Sequence, residues 1–191
     1  MLASGSPRRR ELLAGVGLSF TVRPVALDET PRPGEAPEVY VLRLAREKAA
    51  TRGEPGELVL AADTVVALDD TLLGKPEGEE DARRMLRQLS GREHAVFTGV
   101  ALWSPDTDRL ESGVEETRVR FASLSEREIA WYVASCEPFD KAGAYAIQGL
   151  GALFVETIAG NYSNVVGLPL PRVYRLLGEM GWEVSDGPKR I

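Results

Sequence analysis

The sequence predicts an α/β fold, a mixed twisted sheet with flanking helices. Segments of helical period alternate along the chain with extended apolar runs. From Leu58 to Leu68 the apolar run is nearly unbroken, as a strand covered on both faces requires. Two long extended segments, Ala95 to Trp103 and Gly113 to Phe121, flank Ser104-Pro105-Asp106 and read as a twisted ribbon. The 191 residues, 1–191, fit one domain large enough to bury a single core.

The opening Met1-Leu-Ala-Ser-Gly-Ser-Pro-Arg-Arg-Arg-Glu-Leu-Leu reads as strand, turn and helix. Ser6 stands at the N-cap and Pro7 at the first helical position, where its fixed φ and missing N–H suit the helix. Arg8, Arg9 and Arg10 then crowd into a first turn that already carries roughly +0.5 of a charge and prefers acids. An anion joining them, such as a polyphosphate, resolves the conflict. Ser19 to Val25 reads as a strand, Asp28 to Glu38 as a Pro- and acid-rich loop, and Pro37 to Thr51 as a helix. After the Leu58–Leu68 run, Asp69-Asp70 marks a hairpin turn leading to Leu72-Leu73 and Gly74-Lys75-Pro76. Glu79, Glu80 and Asp81 start a helix with acids at its positive end, and Gly91 closes it. Ser125 to Glu128 is a capping box ahead of the apolar stripe Ile129, Tyr132, Val133. Lys141 to Ile158, rich in small residues, predicts two more strands. Leu168-Pro-Leu-Pro171 leads into a last helix, and Gly187-Pro-Lys-Arg is expected to be loose.

Composition narrows the function. Apolar residues make up 43% and charged residues 27%, the profile of a folded soluble protein. No segment approaches the ~20 apolar residues of a membrane span, so no membrane partner is expected. No apolar leader precedes the first helix, and the lone Cys136 forms no internal disulfide, so the expected compartment is the cytoplasm. Asn161-Tyr-Ser163 matches a glycosylation sequon that means nothing without secretion. The net charge of −6 argues against a nucleic-acid partner, yet a local cluster of Arg and Lys can hold a small phosphorylated molecule.

Several charged residues look misplaced. Asp63 sits inside the apolar run, where an unpaired carboxylate is very costly. It is either a partner in a structural salt bridge or an acid at a strand's carboxyl end, where α/β sheets bind ligands; Thr64 beside it adds a hydroxyl. Lys48 falls between Leu44 and Ala45 on the apolar side of its helix, either snorkelling or aimed into a pocket. Glu29, in a loop, and Lys75, fixed by Gly74 and Pro76, are ambiguous singly. Gln148 lies among Tyr145, Ile147 and Leu150, so its amide needs a backbone partner or the edge of a base. His94 reads as an ordinary histidine. Together these residues supply cations for phosphates, carboxylates for a divalent metal and an amide for a base. A Walker-type loop and a Ser-His-acid or Cys-His set are absent.

Seven segments in order resemble the signatures of the Maf family of nucleoside triphosphate pyrophosphatases. They are Leu2-Ala-Ser-Gly-Ser-Pro-Arg-Arg9, Asp28-Glu-Thr30, Ala45-Arg-Glu-Lys-Ala49, Ala62-Asp-Thr-Val-Val66, Gly74-Lys-Pro76, Asp140-Lys-Ala-Gly-Ala-Tyr-Ala-Ile-Gln-Gly149 and Asn161-Tyr-Ser-Asn-Val-Val-Gly-Leu-Pro169. The resemblance implies an inosine triphosphate pyrophosphatase-like fold with a cleft. It also implies hydrolysis of a nucleoside triphosphate to monophosphate and pyrophosphate with Mg²⁺ or Mn²⁺. Asp63 is then the proton acceptor, and Glu29 with Asp63 the metal-holding pair. Ser6, Arg8, Arg9, Lys48, Thr64, Lys75 and Gln148 are expected on the substrate. Arg8, Thr64 and Gln148 are similar to the branch acting on dTTP and UTP, not to the branch acting on 7-methyl-GTP. A homodimer is common in the family. The rival of another class is a non-catalytic nucleotide sensor in cell division, using the same residues.

Overall fold

The computed structural model describes residues 1–51, 53–69 and 71–182. Asp70, and the Gly187-Pro-Lys-Arg segment expected to be loose, lie outside the described residues. In chain order the elements are α1 (Pro7–Gly15), α2 (Pro37–Ala49), β1 (Val59–Leu68), β2 (Thr71–Leu73), α3 (Glu79–Leu89), β3 (Glu93–Ser104), β4 (Arg109–Phe121), α4 (Glu126–Ala134), β5 (Val155–Ala159), α5 (Tyr162–Val166) and α6 (Leu170–Glu179). The strands form one sheet of order β2-β1-β3-β4-β5. β1 pairs antiparallel with β2, placing Val66 opposite Leu73, and β4 pairs antiparallel with β5. A parallel component comes from Leu2, which bridges to Val22 and Leu60. The α/β class with a mixed sheet and flanking helices is the one expected.

The chain divides into two compact units, with one boundary on the Asp63–Thr64 peptide bond. Among the described residues, the first holds 1–51, 53–63, 98–115 and 167–182; the second holds 64–69, 71–97 and 116–166.

In the first unit Leu2, Leu13, Leu60, Val100, Leu102, Leu168 and Leu176 share one apolar cluster, and Ala45, Ala49, Val59, Ala61 and Ala101 another. Each fully buried leucine contributes about 1.5–3 kcal/mol. Helix α2 buries Tyr40, Val41, Leu44, Ala45, Lys48 and Ala49, the face that its 3.6-residue period selects. Close approach of α2 depends on Gly99 of β3. A Cβ there would lie 2.2 Å from the carbonyl oxygen of Val41.

In the second unit α3 and α4 pack Met85, Leu86, Leu89, Ile129, Tyr132 and Val133 against Val66, Val119 and Phe121. The capping box is formed: Glu128 N–H donates to Ser125 Oγ at 3.3 Å, and Ser125 N–H donates to the Glu128 carboxylate at 2.7 Å. Asn161, which opens the sequon and the Asn161–Pro169 segment, directly precedes α5, its Oδ1 accepting from Asn164 N–H at 2.9 Å.

Two local expectations are corrected, and a third holds with one difference. Ser19 to Val25 is not a strand. It holds isolated bridges at Ser19 and Val22, the latter to Leu2 through Leu2 N–H to Thr21 O and Arg23 N–H to Leu2 O, and Pro24 has no N–H to continue a ladder. Lys141 to Ile158 holds one strand, not two. Gly143, Ala144 and Gly149 take φ of 69°, 58° and 82°, left-handed values that break an extended run, and short 3₁₀ turns cover Glu137–Asp140, Ala142–Ala144 and Gly149–Phe154. Ser6 does occupy the N-cap of α1, with Pro7 at the first position, but its side chain makes no capping hydrogen bond.

Candidate active site

Strand β1 places Asp63 at mid-length between Ala61, Ala62 and Val65, all buried, and Asp63 itself is only 7% exposed. Its neutralising partner comes from α2. Lys48, on the buried face with Leu44, Ala45 and Ala49, is 6% exposed, and its Nζ donates to Asp63 Oδ1 at 2.6 Å. The same ammonium donates to Glu29 Oε1 at 2.6 Å. One cation is thus shared by two carboxylates from different stretches of chain. The Lys48 ammonium is thus buried in an ion-paired cluster and does not snorkel to solvent.

The loop bearing Glu29 is held from both sides. Asp28 Oδ1 accepts from the N–H and hydroxyl of Thr30 at 2.9 and 2.6 Å, a local turn, and Tyr40 Oη donates to Glu29 O at 2.8 Å. Tyr40 and Ser4 are supporting residues that sequence reasoning missed. Tyr40 carried the signal of a polar aromatic on the apolar face of α2, about two turns before Lys48.

Arg9, in the first turn of α1, is fixed by the backbone. Nε donates to Gly167 O at 2.8 Å, and Nη1 donates to Ala62 O at 2.8 Å and Ser4 Oγ at 3.1 Å. The Ala62 carbonyl places this guanidinium next to Asp63. Burial opposes its charge, and the Asp63 and Glu29 carboxylates oppose that effect. No acid stands in the first turn of α1, so the charge conflict read from sequence is real. Ser6 and Arg8, half-buried, stand beside it in the same turn. The structure therefore brings Arg9, Lys48, Glu29 and Asp63 together within the first unit.

Electrostatics suit proton transfer at Asp63. Burial raises its carboxyl above the ordinary range, while Lys48 and Arg9 pull in the opposite direction. Tyr40 is pushed up to about 12, first by burial and then by the charges of Asp63 and Glu29. A carboxylate raised by burial but held by two cations is a recognisable pattern for a general base.

Thr64, next in β1 and half-buried, belongs to the second unit, as do Lys75 and Gln148. Lys75 is exposed in the segment after β2, where Gly74 O accepts from Gly143 N–H at 3.0 Å. Gln148 is also exposed, so burial does not force a backbone partner on its amide. Unexpected nearby is Glu137, whose carboxylate accepts from Leu150 and Gly151 N–H, both at 3.0 Å. As an acid in a short turn it carried no distinguishing sequence signal.

The donor set fits a divalent metal. Among the described residues no group of three or more His, Cys, Asp or Glu could hold one alone. Glu29 and Asp63, however, already converge on a single cation, and hard divalent ions such as Mg²⁺ are commonly bound by one or two carboxylates, with substrate phosphates and water completing the shell.

Residues 1–180 match the family described as Maf-like protein. This chain belongs to the Maf family. Among Maf relatives, a protein of Myxococcus xanthus (strain DK1622) named dTTP/UTP pyrophosphatase is 56% identical over 192 residues, covering 97% of this chain and 96% of its own. One of Anaeromyxobacter dehalogenans (strain 2CP-C) with the same name is 55% identical over 187 residues, covering 95% and 94%. A third of that name, from Shewanella sp. (strain MR-7), is 51% identical over 191 residues, covering 95% and 97%. Among the described residues no helix is long and apolar enough to cross a membrane.

Proposed function

We propose that this chain is a nucleoside triphosphate pyrophosphatase with dTTP and UTP as favoured substrates, releasing the monophosphate and pyrophosphate. The observation that carries the reading is the Lys48 ammonium shared by Glu29 and Asp63, with Arg9 anchored alongside. The relatives named dTTP/UTP pyrophosphatase support the substrate class. A cytoplasmic setting, where such triphosphates are made, goes with it.

In this reading water attacks the α-phosphorus, Asp63 takes its proton, and the bond from that phosphorus to the bridging oxygen breaks as pyrophosphate leaves. Lys48 and Arg9 counter the charge that gathers on the phosphates, as fixed cations in a partly dry site do. Arg8 and Lys75 extend the cationic set, and Ser6 offers its hydroxyl. Mg²⁺ or Mn²⁺ held by Glu29 and Asp63 supplies Lewis-acid polarisation of the phosphoryl oxygens. Thr64 and Gln148 read the Watson-Crick edge of the pyrimidine, since an amide both donates and accepts.

Pyrophosphate release across canonical and modified triphosphates, with and without Mg²⁺, tests the proposal. Asp63→Asn should keep nucleotide binding and lose about 10²–10⁴-fold in turnover. Full turnover in that variant removes Asp63 from the chemistry. A preference for 7-methyl-GTP overturns the substrate assignment alone, and tight binding without metal-dependent release makes the protein a sensor.

A further inference from the structure

The segment around Gln148 has little regular structure, yet its backbone is pinned on both sides by one pair of side chains. Tyr132, fully buried on α4, accepts at its hydroxyl from Ala146 N–H at 3.1 Å and donates to Glu137 Oε1 at 2.8 Å. Glu137 Oε1 also accepts from Gly151 N–H, and Oε2 from Leu150 N–H, each at 3.0 Å. Two residues before Gln148 and two and three residues after it, the main chain is therefore held by a single Tyr-Glu couple. The ring of Tyr132 is itself set edge-on against Phe154 at 5.1 Å, at the end of the same segment.

The clamp needs a carboxylate. Every contact on Glu137's two oxygens comes from a donor, so an amide of the same shape would turn an N–H₂ against at least one of them. Burial opposes the charge, but the Gly151 and Leu150 N–H groups and the Tyr132 hydroxyl outweigh it and keep this carboxyl below its usual range. Gly149 completes the fit. It takes φ of 82°, and a Cβ there would lie 2.4 Å from Glu137 Oε2.

We propose that Glu137, acting with Tyr132, is a positioning residue that fixes the backbone on either side of Gln148 and so sets the discrimination among bases. This rests on the assignment of Gln148 as a base reader. Glu137 touches no reacting atom; its effect passes through the placement of the Gln148 amide.

The test is a double-mutant cycle on the full chain, with kcat and KM measured for dTTP, UTP, CTP and GTP. Glu137→Gln should raise KM for dTTP and UTP about tenfold, the scale of one lost charge-assisted hydrogen bond, with kcat little changed. It should also narrow the discrimination against CTP and GTP. In a Gln148→Ala background the same substitution should alter discrimination by less than about twofold, because the two act as one unit. Tyr132→Phe should reproduce the KM effect, and amide exchange at Leu150 and Gly151 should speed up in Glu137→Gln. If Gln148→Ala alters discrimination but Glu137→Gln does not, the clamp proposal falls while the base-reading assignment stands. A loss confined to kcat, or one undiminished in the Gln148→Ala background, also overturns it. If Gln148→Ala alone leaves discrimination unchanged, the base-reading assignment falls first.

Discussion

Replacing Lys48 by Met keeps the length of the side chain and removes the ammonium that Glu29 and Asp63 share. Asp63 bears the consequence, because it is 7% exposed, whereas half of the Glu29 side chain meets water, 51%, and screening leaves it little affected. Taking one partner from a buried ion pair costs about 3–5 kcal/mol, since the remaining charge stays desolvated. For a chain of this size each kcal/mol is worth about 2–4 °C, so melting should fall on the order of 10 °C at pH 8. Protonation limits the loss. Without Lys48, burial acts on Asp63 less opposed, and its already raised carboxyl rises further. The folded state then favours the protonated form, so the native stability of Lys48→Met is highest at low pH and drains as pH rises through that folded value. Circular dichroism melts of both proteins at pH 5 and pH 8 measure this: the deficit should be several degrees larger at pH 8. An equal deficit at both values would mean that lost packing, not an orphaned carboxylate, explains the effect, and no deficit would refute the pairing as a stabilising element.

A second pH effect belongs to His94, which is 3% exposed, meets the Tyr145 hydroxyl at 2.9 Å and is driven down to about 4 by burial. Its folded value lies below the unfolded one of about 6.5, so the stability it contributes is present above pH 6.5 and lost as pH falls toward 4, by up to about 3 kcal/mol. His94→Gln should flatten that part of the urea-measured stability curve; an unchanged slope would mean that other groups make it. Gly99→Ala should destabilise by about 3 kcal/mol or more, because its new Cβ meets the Val41 carbonyl at 2.2 Å and α2 must move. Urea midpoints report it, and a shift under about 0.5 kcal/mol would show that the strand and helix have room to part.

What could be read in the sequence was set by local physics. The β1 run, the α2 stripe and the Ser125–Glu128 box state their own secondary structure through apolar period and hydrogen-bonding side chains. Asp63 and Lys48 stood out because a charge inside an apolar pattern must be answered, and each answers the other. Where the outcome depended on distant chain, the sequence was silent. Ser19 to Val25 has strand composition but forms only isolated bridges, at Ser19 and Val22, and the left-handed residues at 143, 144 and 149 include Ala144, which has no composition signature. Glu137 is the clearest omission, since its role lies in three donors that only the folded backbone presents. Gln148 was singled out by its apolar neighbours, yet it stands exposed in the fold, so burial imposes no backbone partner on its amide.

The guanidinium of Arg9 meets Gly167 across 158 residues of chain. During synthesis the arginines of α1 leave the ribosome long before the carbonyl that anchors one of them exists. Contacts of such separation form late, after the entropy of closing the loop has been met. A chain arrested before Gly167 carries Asp63 and Lys48 and two of the oxygens that hold Arg9, those of Ala62 and Ser4, but lacks the third, so the Arg9 corner is completed only near the end of synthesis.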